Sequence, residues 1–444
     1  MISIARMSLI LKRLFEQEAP LLARQAGMRE RRIGHCQLAL LLVLGWWSQP
    51  HSGSSALARS ATSLDLDLSK QSIECHFSER TAIWLLSLLR RAVQEVVVGA
   101  GAKLAWMQLF PGVFVEDGST ITLPSSLASV WQGCGGTVPS KEKPDKSKAA
   151  LKITVRWDLK GGTLDGPHLQ AGRRHELSSV LSQRQMPKGS LWLADLGYWS
   201  LTSLSGLMKQ GVYFCMRVKV GAVIWHQQQR TGVASLIAGL PATDMQAEWV
   251  VDVGANKAVK QVRLLVKRVP EEVAKLRQQR IREYACKHSK PVNLMALDLA
   301  KWTIILSNVP VCMLSLSQAF VLMRARWQIE LLFKLWKQEA LVDEWTSSNP
   351  WRILCEVYAK LLAMVVQHWL WLLACGDDPH MSLTGVAEVL REQVPVLVHG
   401  LRKHMRLGTA LRLMIEGVGK GCCIEERSTR FSTSRLIQHQ FDSA

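Results

Sequence analysis

The segment Arg324–Lys337, RARWQIELLFKLWK, sets one carboxylate, Glu330, among basic and aromatic side chains and reads as a single helix. At about 100° per residue, Arg326, Trp327, Lys334 and Lys337 share a stripe with Glu330, while Ile329, Leu332, Phe333 and Trp336 fall opposite and pack inward. The plainest account is an amphipathic helix with Arg/Glu and Glu/Lys pairs at i,i+4, each contributing about a few tenths of a kcal/mol. A second account joins Glu330 to Asp117 in VEDGSTITLP and Asp195 in LADLGYWS. Phosphoryl transfer with two divalent cations about 3.5–4 Å apart needs several carboxylates at one point, and Mg²⁺ takes oxygen ligands. Asp117 and Asp195 at the carboxyl ends of strands, with Glu330 on a helix packed across them, would form that cluster. The basic neighbours would then hold the phosphates of the strand being cut.

Those acids need a scaffold, and the chain supplies a patterned one. Residues 1 to about 105 are helical in pattern, with a break at HSGSS and a capping residue, Ser78, before the run ERTAIWLLSLLRRAVQEVV. From about 110, VFVEDGSTITLP and KITVRWDLKGG alternate and stop at turn residues, and LWLADLGYWS reads as a buried strand. HELSSVLSQRQM between them reads as a short helix. A second β-rich stretch holds VYFCMRVKV, EWVVDVG, VRLLVKRV and WTIILSNV, interrupted by the basic helical piece PEEVAKLRQQRIREYACKHSK. The chain is helical again after Lys337. Lys141, Lys143, Lys146 and Lys148 lie in a polar loop, and the end of the chain is polar. Asp158 and Asp165 sit near a hairpin and read as structural.

With 444 residues, 48% of them hydrophobic, the chain can bury a substantial core, and its length fits about three domains. Lys and Arg number 55 against 36 Asp and Glu, a net charge of +19 that suits a polyanionic partner. Phosphate contacts give affinity and position but no sequence reading. The ten cysteines form no CxxC pair, which excludes an evident zinc site or disulfide framework and leaves reduced, buried thiols as the expectation. Of two apolar runs, Leu38–Trp47 is too short to span a bilayer and Leu361–Ala374 is interrupted by Gln367 and His368, so both read as core helices and no membrane role follows. The first twenty residues show no signal-peptide cleavage pattern.

EDGSTITLP, ADLGYWS and RWQIELLFKLWK together resemble the three motifs of the DDE transposases of bacterial insertion sequences. The similarity is to the family-four branch, whose catalytic helix reads Tyr, two residues, Arg, three residues, Glu, six residues, Lys. Arg326, Glu330 and Lys337 match that spacing, and Met323 stands where the Tyr is expected. The resemblance implies an α/β fold: an RNase H-like catalytic core interrupted by a β-rich insertion, with helical N-terminal and C-terminal regions. The divisions expected are 1–105 for a DNA-binding region, 106–211 and 316–375 for the core, 212–315 for the insertion and 376–444 for the helical end and tail. It implies Asp117, Asp195 and Glu330 as catalytic ligands of two Mg²⁺ ions, with Mn²⁺ able to substitute. Arg326, Lys334 and Lys337 would grip DNA phosphates, and Trp302 and Trp327 would stack on an unpaired base. The implied partners are element ends and target DNA, bound by a homodimer in a synaptic complex, in the cytoplasm at the nucleoid. A nuclease without strand joining, or an inactive DNA-binding protein, is the alternative.

Overall fold

The computed structural model describes residues 2–30, 33–99, 105–134, 148–241, 243–375, 381–420 and 422. Lys141, Lys143 and Lys146 of the polar loop, and residues 421 and 423–444 of the tail, lie outside the described residues. By internal contacts the chain divides into two compact units, Met1–Lys103 with Asp117–Arg184 and Gln328–Phe431, and Leu104–Glu116 with Gln185–Trp327 and Ser432–Ala444.

In the second unit, β1 (Val113–Leu123) contributes its first four residues to a parallel set with β4 (Leu191–Ala194) and β5 (Tyr213–Arg217). The register is fixed at Val113↔Leu191↔Tyr213 and ends at Glu116↔Ala194↔Met216. All four residues of β4 are buried, the unbroken apolar run expected of a strand covered on both faces. From β5 the order continues through β10 (Trp302–Ser307), β9 (Val259–Arg268), β8 (Gln246–Val253), β6 (Ile224–His226) and β7 (Gln229–Thr231), each pair antiparallel. The four sequence runs that read as strands are therefore β5, β8, β9 and β10. Arg263 on β9 is buried and fully engaged: it pairs with Glu248 at 2.6 Å and donates to the carbonyl oxygens of Val309 at 2.9 Å and Leu314 at 2.6 Å. It thereby fixes the turn out of β10 to the start of the helix Leu316–Ala325, whose first turn is closed by Ser315 and Gln318.

In the first unit the rest of β1 lies beside β2 (Ala149–Asp158), which pairs antiparallel with β3 (Leu164–Ala171). The sequence reading has no counterpart of β3, because Gly166 and Pro167 are poor strand formers; β3 is an edge strand, the one place where a missing N–H is tolerated. HELSSVLSQRQM forms two 3₁₀ turns, Glu176–Ser178 and Val180–Gln183, rather than one helix. Ser78 caps the helix Glu79–Val93 as expected, accepting from the Thr81 amide at 3.3 Å.

The helix Pro350–Cys375 forms the centre of this unit. It is long and apolar enough to cross a membrane, yet its most apolar window is 83% buried within the protein. Several of its polar side chains meet a partner on another segment. Arg352 pairs with Glu74 at 2.6 Å, and Glu74 also accepts from Ser54. The phenol of Tyr358 accepts from the Trp131 indole at 2.6 Å, Gln367 accepts from the Trp47 indole at 2.9 Å, and His368 bonds the Gly162 carbonyl at 2.7 Å. Lys360 pairs with Glu356 at 2.8 Å and donates to the carbonyls of Leu341 at 3.0 Å and Glu344 at 2.9 Å. Among the described residues the cysteines are free, and Cys75, Cys134, Cys286 and Cys312 are exposed where burial was expected.

Removing the Lys360 ammonium leaves the buried Glu356 carboxyl without its partner and two carbonyls without a donor. Lys360→Met is therefore expected to cost about 3–5 kcal/mol, read as a lowered urea midpoint; adding Glu356→Leu should recover part of that, because the two carbonyls still lack a donor. Burial lowers the His368 pKa from 6.5 to about 4, against the opposing hydrogen bond to Gly162. Between those two values the unfolded chain binds the proton and the folded chain does not, so stability falls as pH drops, by up to about 1.4 kcal/mol per pH unit. Urea midpoints at pH 7 and pH 5 should show a steeper acid loss in the native chain than in His368→Gln; equal slopes would remove His368 as the source.

Candidate active site

Asp195 directly follows the last residue of β4 and, in extended conformation, opens the 3₁₀ turn Leu196–Tyr198, its carbonyl accepting from the Tyr198 amide at 3.0 Å. Its Oδ1 is buried with no hydrogen-bond partner among the described residues. A native structure rarely leaves a buried carboxylate oxygen unmatched, because the lost solvation is not returned. Asp117 sits in the middle of β1, not at its carboxyl end, because Ser119–Leu123 continue the strand. Its Oδ1 accepts from the Gly118 amide at 2.8 Å. Glu116, a carboxylate the sequence reading passed over, is buried one residue earlier, on the opposite side of the strand by the two-residue alternation.

Glu330 lies half-buried in the first turn of the helix Trp327–Gln338. The burial of Ile329, Leu332, Phe333 and Trp336 follows the stripe expected from sequence, with Leu335 added, and Phe333 meets Trp336 edge-on with centroids 5.7 Å apart. The segment is not one uninterrupted helix. The helix Leu316–Ala325 ends at Arg326, a turn residue that keeps helical dihedrals (φ −55°, ψ −30°), so the regular hydrogen-bond ladder lapses there.

The proposed DNA contacts differ in availability. Lys334 is exposed and has no ion pair among the described residues. Lys337 donates to the Thr120 carbonyl at 3.1 Å and lies 3.8 Å from Asp343, so its ammonium ties the Glu330 helix to β1. Arg326 is only 4% exposed, a poor fit to an open phosphate clamp. Trp327 is 53% exposed, whereas Trp302 is half-buried with the Arg268 guanidinium 6.0 Å from its ring. Met323 is buried in its helix, so its thioether packs where a Tyr would carry a phenol.

The rival acids serve the fold. Asp158 accepts from the amides of Lys160 at 3.0 Å and Gly161 at 3.1 Å, closing a turn. Burial pushes Asp165 up, but the hydrogen bond from His168 at 2.7 Å and the charges of His168 and Arg184 hold its carboxyl below the usual range. Among the described residues, no group of three or more His, Cys, Asp or Glu side chains stands close enough to hold a metal ion. Asp117, Asp195 and Glu330 are oxygen donors of the type hard divalent cations take, and the unmatched Oδ1 of Asp195 fits a ligand role.

Residues 108–366 match the family described as the transposase DDE domain. The chain is 22% identical over 363 residues to the transposase for insertion sequence element IS231E of Bacillus thuringiensis subsp. finitimus, covering 76% of this chain and 73% of that one. It is 23% identical over 275 residues to the transposase for insertion sequence element IS1151 of Clostridium perfringens, covering 58% and 56%. Among solved structures, a piggyBac transposase synaptic complex with hairpin DNA is similar at a TM-score of 0.49 and 10% identity, over 96% of this chain and 87% of that one, a likeness too weak to argue from. The matched span includes Asp117, Asp195 and Glu330, and with it more than half of the sequence: the chain belongs to the transposase DDE domain family.

Proposed function

We propose that this member of the family binds the terminal inverted repeats of an insertion sequence and catalyses strand cleavage and strand transfer, by cut-and-paste through hairpin ends. It falls in the family-four branch with the Tyr, Arg, Glu and Lys helix, and Asp117, Asp195 and Glu330 hold two Mg²⁺ ions in an RNase H-like core. The observation that supports this reading is Asp195 at the end of β4, whose buried Oδ1 has no hydrogen-bond partner among the described residues, as a cation ligand would. The Lys337 bond to Thr120, three residues beyond Asp117 on β1, ties the helix of Glu330 to the same strand.

When bound, a pair of divalent cations supplies activation of the attacking oxygen and stabilisation of the leaving one. The chain's own groups do the rest. Lys334 takes a phosphate of the cut strand as a point charge, and Lys337 does so on exchanging its Thr120 carbonyl for the backbone. Arg326, buried at the junction of two helices, contributes its charge from within. Trp327 offers an exposed face to an unpaired base, with Trp302, the first residue of β10, as a second ring. Residues 1–105 contact the repeats, the insertion spans 212–315, and two copies pair the two ends on DNA in the cytoplasm at the nucleoid.

The test is a strand-cleavage and joining assay on the flanking terminal repeats with Mg²⁺. The native chain is expected to give nicked, hairpin and joined products on denaturing gels; nicks with no joined product would leave a nuclease. Glu330→Ala is expected to lower cleavage at least about 100-fold, the loss typical of removing one group that stabilises charge in the transition state, and full cleavage by that variant would end both enzyme readings. Lys334→Ala should reduce the slope of log affinity for duplex repeats against log salt by about 0.9; an unchanged slope would take Lys334 off the DNA.

A further inference from the structure

The helix Glu271–Lys287 has no part in the chemistry above, yet it carries four exposed cations, Lys275, Arg280, Arg282 and Lys287. One face is anchored: Ala274 and Ala285 are buried, and the Arg277 guanidinium donates to the Trp302 carbonyl at 3.0 Å and the Thr303 hydroxyl at 3.2 Å. The adjoining stripe at helical spacing holds Leu276, Arg280, Tyr284 and Lys287, all exposed. Leu276 and Tyr284 are each 57% exposed, an arrangement that isolated surface packing does not explain. Two of the helix's acids are already engaged, Glu271 with Lys275 at 2.9 Å and Glu283 with Gln279 at 2.8 Å. Arg280 and Lys287 have no ion pair among the described residues. The Tyr284 ring is held in place by stacking on His288, centroids 4.1 Å apart and planes 29° from parallel.

We infer that this stripe is a binding surface for single-stranded DNA, with Arg280 and Lys287 on the backbone phosphates and Tyr284 as a stacking platform for one base. The inference rests on the proposed transposase reading, which has strands opened beside Trp302, the residue to which Arg277 fastens this helix. Charge complementarity selects a polyanion, and the fixed aromatic face selects unpaired bases, because a duplex has no base face to offer. A basic amphipathic helix also suits an anionic membrane surface, and the test separates the two.

Fluorescence anisotropy of the full-length chain with labelled oligo(dT), and with a duplex of the same length, gives the answer. Tyr284→Ala is expected to weaken oligo(dT) binding about 5- to 150-fold, the effect of losing one stacked base, while duplex binding is unchanged. The double variant Arg280→Gln, Lys287→Gln is expected to lower the salt slope for oligo(dT) by about 1.4, or about 0.7 for each lost phosphate contact. Thermal midpoints equal to the native one confirm that the exposed substitutions leave the fold intact. Native-like oligo(dT) affinity and slope in both variants would overturn the inference. So would loss of binding to phosphatidylserine vesicles with oligo(dT) binding retained. The native chain assayed alongside on the terminal repeats keeps the two failures apart: joined product with unaffected variants sinks this inference alone, and no cleavage by the native chain sinks the transposase reading.

Discussion

The Lys337 ammonium, bound to the Thr120 carbonyl at 3.1 Å, fastens the helix that carries Glu330 to the strand that carries Asp117. A carboxylate on a helix and another on a strand can serve one reaction only if their elements cannot slide, and one turn of slippage would move Glu330 by about 5.4 Å. The segment that follows the helix is pinned as well. Lys360, buried in the helix Pro350–Cys375, donates to the carbonyls of Leu341 and Glu344 in the segment that leaves the Glu330 helix. Buried cations are costly unless fully matched, and this one is matched by Glu356 and two carbonyls, so its position is sharply defined.

That arrangement accounts for the composition of the central helix. A purely apolar helix would satisfy the need for burial but would leave its rotation and depth loosely set. Arg352, Tyr358, Lys360, Gln367 and His368 each reach a different segment, from Glu74 and Trp47 near the start of the chain to Gly162 in the β2–β3 turn. Each bond is satisfied in one registry only, so the core holds the surrounding elements at fixed offsets. In the second unit Arg263 does the equivalent work, setting the turn from β10 into the helix that precedes Glu330.

Period and turn chemistry made part of this legible in the sequence. The inward face of the Glu330 helix follows from spacing alone, and β5, β8, β9 and β10 stand where apolar alternation put them, because both signals are local. The break at Arg326 was not legible, since its dihedrals stay helical and only the hydrogen-bond ladder changes. β3 was hidden by Gly166 and Pro167, whose tolerance depends on lying at a sheet edge, a tertiary fact. The burial of Lys360 was hidden for a similar reason: a charged residue reads as surface until its partners, here Glu356 and the carbonyls of Leu341 and Glu344, are in place. Of the candidate site, residue types and spacing were readable; the extension of β1 beyond Asp117, the commitment of Lys337 to Thr120 and the unmatched oxygen of Asp195 were not.

The central claim is that Asp117, Asp195 and Glu330 share a pair of divalent cations. Anomalous scattering from crystals soaked in Mn²⁺ tests it most directly. The account requires two peaks about 3.5–4 Å apart, bounded by carboxylate oxygens of all three residues; Mn²⁺ at other side chains, with these three carboxylates too far apart to touch a common ion, would contradict it.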